Sequence, residues 1–182
     1  RAAHAITCGW LSSATLSIQK PTSHDIPAKG LCLHSGRDIY ATLQPAPADR
    51  GVPFRRVDLN AAPAINAVPE NVTSTTLATT LGRGENRVST VEHLMAALSA
   101  LGVDNIRVET DGPELPVYDG SAEEWVGLLN EAGLTELTAP RKVLKVTRPY
   151  KFSAGDKSVE VRPAGRFSVE AHIDFGGAIG RH

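Results

Sequence analysis

Apolar residues at Val91, Leu94, Leu98 and Leu101 recur three and four places apart. That spacing predicts a helix over 90–101 with one face turned inward. Ser89 stands at its N-cap, Glu92 three residues on completes a capping box, and Gly102 follows as the stop. A second capping pair, Ser121 with Glu124, opens a helix predicted over 122–132 that ends at Gly133. Residues 16–20 and 26–33 read as two arms of a β-hairpin around 21–25. Residues 38–43 alternate as a strand closed by Pro45 and Pro47. Further strands are predicted over 53–59, with Arg55 and Arg56 facing opposite ways, over the β-branched run 75–81, and over 105–110. Residues 60–71 read as irregular, with a short strand near Ile65. Residues 135–140 read as a linker before three more strands, over 142–148, 158–162 and 167–175, that form a second sheet.

Composition narrows the class. At 182 residues and 41% hydrophobic content, the chain holds one domain, or one and a half, with a sizeable core. A net charge of −1 and a pI near 6.7 advertise no basic patch, so no nucleic-acid partner is expected. No run of 18 apolar residues is present, which predicts no transmembrane helix. Two cysteines, Cys8 and Cys32, make neither a disulfide framework nor a zinc cluster and point to a reducing compartment. Cys32 reads as packing. Residues 1–15 carry no acidic side chain and are rich in Ser, Thr and Ala. They resemble an organelle transit peptide or translated sequence upstream of a true start, and stand outside the predicted fold.

The candidate chemistry centres on Glu92 and His93, in the first turn of the predicted central helix. Metal-assisted hydrolysis needs a nitrogen donor for the metal and a carboxylate to take a proton from water. His93 and Glu92 have those chemistries. From the pair alone they read first as a helix cap and a half-buried histidine. Adjacent helical positions point about 100° apart, so a shared site must lie between their two directions. His34, before Ser35-Gly36, reads as a loop histidine, and Asp119, before Gly120-Ser121, as a turn residue. Thr76 and Leu77 read as strand positions, and His172 as a sheet-face residue. Gly82-Arg83-Gly84 lacks the Lys-Ser/Thr of a phosphate loop.

Four segments, in order, carry a resemblance: GLCLHSG, LQPAPADRGVPFRRVDL, STVEHLMAALSALGVDNIRVE and GPELPVYDGSAEEWV. Together they closely resemble the zinc-dependent UDP-3-O-acyl-N-acetylglucosamine deacetylases of lipid A biosynthesis, with similarity from about residue 16 to 179. The resemblance implies an α+β fold. A two-layer sandwich domain of ribosomal S5 domain 2-like type would span 16–139, and 140–182 would start a second, truncated domain of similar type. It implies a cytoplasmic enzyme that hydrolyses the acetamide of UDP-3-O-acyl-N-acetylglucosamine and releases acetate. His93 would be one of three ligands to Zn²⁺, and Glu92 the general base. His34 would lie near the cleft, Thr76 and Leu77 at the acyl entrance, and Asp119 would support the site.

The same resemblance marks a departure. The family's two other zinc ligands belong to a downstream H-K-x-x-D-x-x-G-D motif, and its general acid is a still later histidine; neither stands in this sequence. The expectation is a fragment, inactive alone, with an unfinished second sheet that favours self-association. The alternative is a non-catalytic binding or regulatory relative that keeps only the first domain.

Overall fold

The computed structural model describes residues 17–174, 176, 177 and 180. The expectations for residues 1–15, Cys8, Leu16, Phe175 and Ile179 therefore lie outside the described residues. Ser17–Arg141 forms one compact unit, and Lys142–His182 belongs to a second.

In the first unit β1 (Ile26–Leu31), β2 (Asp38–Pro45), β3 (Pro53–Arg56) and β4 (Ile65–Asn66) precede a 3-10 turn at Pro69–Asn71. Then come β5 (Val72–Ser74), β6 (Thr80–Arg83) and β7 (Asn86–Val88), followed by α1 (Glu92–Leu101), β8 (Ile106–Thr110) and α2 (Glu123–Ala132). One five-stranded sheet has the order β1-β2-β8-β3-β4, and β5-β6-β7 form a small sheet of three. All pairs are antiparallel except β3 with β8, which is parallel. The arrangement is α+β.

Alternation decides which face is dry. Along β2, Ile39, Ala41 and Leu43 are buried while Asp38 and Tyr40 are exposed. Phe54 of β3 and Ile106 and Val108 of β8 join the same core. Against it α1 buries Leu94, Ala97 and Leu98, and α2 buries Trp125 and Leu129. Gly102 ends α1 in the left-handed region, at φ 70°, and its N–H bonds Leu98 O and Ser99 O, the stop its position predicts. Arg55 is exposed and Arg56 buried, as expected for opposite faces.

Several local expectations are corrected by pairing. Residues 26–31 form their hairpin with β2, not with 16–20. The stretch from residue 17 instead runs antiparallel to 134–141. Gln19 N bonds Ala139 O at 3.0 Å, Leu137 N bonds Gln19 O at 2.9 Å, and Thr135 N bonds Pro21 O at 3.1 Å. The predicted linker is thus one half of a paired ribbon. Buried Gln19 seals it, bonding Pro140 O, Asp49 and Asn105 at 2.8–3.1 Å. The β-branched run 75–81 is not one strand: β5 ends at Ser74, β6 begins at Thr80, and the residues between bend. Leu77 takes φ 60° there, outside the extended region. In the second unit β9 (Tyr150–Ala154) and β10 (Lys157–Val161) form a hairpin. The strands expected over 142–148 and 167–175 do not form among the described residues. His172 accordingly sits on no sheet face, but beside Glu170 at 2.9 Å. Among the described residues, no helix is long and apolar enough to cross a membrane.

Arg56 locks the large sheet to the small one. Its guanidinium grips Asp58 with two bonds, at 2.7 and 2.5 Å, while Nη1 donates to Glu85 O and Arg87 O at 3.0 and 3.1 Å. The Arg56 hydrogen bond holds the Asp58 carboxyl below its ordinary 3.8. Replacing Asp58→Ala leaves a buried guanidinium without its counter-charge. Urea unfolding should show a loss of about 2 kcal/mol. A carboxyl depressed on folding contributes fully above its ordinary pKa and loses its share as pH falls through the folded value. The gap between wild type and variant should therefore narrow as pH drops below 3.8.

Candidate active site

The chain enters the site along β7. Ser89 pairs in parallel with Glu114: Ser89 N bonds Pro113 O at 2.9 Å and Leu115 N bonds Ser89 O at 3.0 Å. Thr90 then takes φ 56° and turns the chain into α1. A buried β-branched residue in the left-handed region is strained, and such strain costs roughly 1–3 kcal/mol. Thr90 Oγ1 donates to Glu114 Oε1 at 3.2 Å, which helps to hold the turn.

The predicted capping box does not form. The Ser89 hydroxyl bonds the Thr80 hydroxyl at 3.0 Å. Val91 occupies the N-cap position with no side-chain cap. Glu92 is half-buried and turns away from the helix end: its Oε2 accepts the Thr79 amide at 3.0 Å. The neighbouring His93 is half-buried too. Asp119 is exposed, and its Oδ1 accepts the Ser121 amide at 2.9 Å and the Ser121 hydroxyl at 2.8 Å. Those bonds hold its carboxyl below the ordinary range, with a smaller contribution from His93. Asp119 is thus a turn residue. The second predicted box, Ser121 with Glu124, is not made either: Ala122 is the N-cap with no side-chain cap, α2 begins at Glu123, and the Ser121 Oγ accepts the Glu123 amide at 3.1 Å.

His34, Thr76 and Leu77 meet around an open cavity of about 360 Å³, whose wall includes Ser35, Ala78 and Glu114. His34 sits in the β1–β2 hairpin loop. Leu77 is 86% exposed. Glu92 does not line the cavity, but the amide it holds belongs to Thr79, next to the lining residue Ala78. Cys32 is buried as predicted, its thiol donating to Glu114 O at 3.4 Å, and burial pushes that thiol up.

Sequence reasoning passed over Glu114. It is 4% exposed, and its carboxylate accepts the amides of His34 and Ser35 at 2.9 and 3.0 Å. Burial works to raise its pKa, and the hydrogen bonds outweigh that and hold it below the ordinary value. The available signal was a lone acid in the Pro- and Leu-rich stretch Gly112-Pro113-Glu114-Leu115-Pro116, where an unpartnered charge would not be buried.

The metal expectation meets the donor set directly. Catalytic zinc generally takes three protein ligands. Among the described residues no group of three His, Cys, Asp or Glu side chains could hold a metal ion. The described residues do not by themselves fit a zinc site.

Comparison with known proteins gives the family. A family model described as LpxC, UDP-3-O-acyl N-acetylglycosamine deacetylase, matches residues 19–182. A Teredinibacter turnerae protein named UDP-3-O-acyl-N-acetylglucosamine deacetylase is 46% identical over 157 residues, covering 86% of this chain and 52% of that protein. Proteins of the same name from Cellvibrio japonicus and Anaeromyxobacter dehalogenans are 48% and 47% identical, covering 86% and 87% of this chain and 52% and 51% of their own lengths. The chain spans about half the length of the curated relatives it matches. Identity near one half over more than four fifths of the chain, together with a family match over residues 19–182, shows that the chain belongs to the UDP-3-O-acyl N-acetylglycosamine deacetylase family.

Proposed function

We propose that the complete protein hydrolyses the acetamide of UDP-3-O-acyl-N-acetylglucosamine, releasing acetate, as a step of lipid A biosynthesis in the cytoplasm. This chain contributes about half of that enzyme. The observation that carries the reading is the family match over residues 19–182. On this reading 16–139 is a two-layer domain of ribosomal S5 domain 2-like type, and 140–182 opens a second of similar type. The compactness of Ser17–Arg141 supports that division.

Glu92 is the general base. One carboxylate oxygen is anchored on the Thr79 amide, which limits the side chain's freedom and leaves the second oxygen to take a proton from water. His93 would be one of three Zn²⁺ ligands in the complete enzyme, and the metal would there polarise the amide carbonyl. Asp119, held by the Ser121 amide and hydroxyl in the turn before α2, supports the site. His34, Thr76 and Leu77 are substrate-proximal. The exposed Leu77 offers apolar surface to an acyl chain beside the polar wall of Ser35 and Glu114.

Two measurements test this reading. In the complete protein, Glu92→Gln should lower kcat for acetate release by roughly 10²–10⁴-fold while zinc content is unchanged. Unchanged turnover would overturn the base assignment. The 182-residue chain alone should show no acetate release and should self-associate, since Val143, Leu144 and Phe152 are 76%, 93% and 72% exposed. A single monomeric species in sedimentation would contradict the self-association.

A further inference from the structure

The carboxylate of Glu114 is buried with its charge met by hydrogen-bond donors from two different elements. His34 N and Ser35 N come from the β1–β2 loop, and Thr90 Oγ1 comes from the turn in front of α1. A buried anion without such donors is expensive, so the three donors and the carboxylate hold one another in place. The two sides of this clamp are not equally secured. The Thr90 side is fixed a second time, through the backbone bridge that joins Ser89 to Pro113 and Leu115. On the loop side the base is fixed too, since Val117 N bonds Leu31 O at 3.0 Å and the Cys32 thiol donates to Glu114 O at 3.4 Å, while Cys32 N–Arg37 O and Gly36 N–Cys32 O close the loop on itself, so the difference lies at the tip. The tip at His34 and Ser35 is tied to the rest of the unit by the Glu114 side chain.

We infer that Glu114 is a positioning residue for substrate binding: it holds the His34–Ser35 wall of the cavity at a fixed distance from Thr76 and Leu77. The inference rests on the proposed deacetylase reading for its effect on turnover, but not for the clamp itself. Binding and chemistry separate here. Loosening the loop weakens interactions made equally in the ground and transition states, so the loss falls on KM. Glu92 and His93 follow the doubly fixed turn, so kcat is largely retained.

The test compares Glu114→Ala with Glu114→Gln in the complete protein by amide hydrogen exchange and by steady-state kinetics with UDP-3-O-acyl-N-acetylglucosamine. The His34 amide faces Oε1 and the Ser35 amide faces Oε2, so in the Gln variant one of them meets an NH₂ group, which donates and cannot accept; in the Ala variant both lose their partner. Exchange should rise on the order of tenfold or more at one of His34 and Ser35 in the Gln variant, and at both in the Ala variant. Amides inside α1, such as that of Leu98, should keep their protection. KM should rise roughly tenfold, with kcat within about threefold of wild type. Unchanged exchange at both loop amides would overturn the clamp, as would a uniform rise across the loop and α1. A fall in kcat at constant KM would overturn the binding role. Should the Ala variant fail to fold, the single-amide signature in the Gln variant decides alone. The exchange result does not depend on the reaction, so it stands or falls separately from the deacetylase assignment.

Discussion

Burial of Leu94, Ala97 and Leu98 against the five-stranded sheet fixes the rotation of α1 about its own axis. The site depends on that constraint. With those three side chains in the core, positions 92 and 93 fall at the margins of the apolar stripe, about 100° apart, and both come out half-buried. Turning the helix would expose two leucines, and removing even one such side chain from a core costs about 2–5 kcal/mol. The pair is therefore presented by a rigid scaffold.

Strain gathers around the same place. Leu77, Thr90 and Tyr118 all take positive φ, and none is a glycine. Leu77 is in the cavity wall, Thr90 precedes α1, and Tyr118 precedes Asp119. Such conformations persist where surrounding structure over-determines them, and they cluster at functional sites. Tyr118 is braced by an edge-on contact with the buried Trp125, with ring centroids 5.1 Å apart, and Thr90 by the Glu114 carboxylate.

What the sequence made legible was local. The α1 stripe, the Gly102 stop, the alternation along β2 and the opposed Arg55 and Arg56 each depend on neighbours within a turn or a pleat. What it hid was set at long range. Ser89 and Glu92 form a plausible capping box until Thr80 and Thr79, from β6 and its approach, take up both side chains. The segment 16–20 looked like the partner of 26–33 because both are near in sequence, yet its partner lies beyond α2. Glu114 could not be recognised as a clamp from its neighbours, because its ligands are about 80 residues upstream, in a loop, and 24 upstream, at Thr90. Family resemblance reached past these local limits to name the candidate site, but it did not supply Glu114.

The ribbon that closes the first unit also sets an order of assembly. Gln19 and Pro140 are 121 residues apart in the chain and in direct contact in the fold. At synthesis rates of roughly 5–20 residues per second, the first half of the ribbon waits on the order of ten seconds for its mate. During that interval the β1–β2 hairpin can form, but β3 and β4 join it only once β8, which lies between β2 and β3, has been made. Completion of the unit is thus timed by the emergence of residues 134–141 from the ribosome, and the last step to snap shut is made by the first described residues to be synthesised.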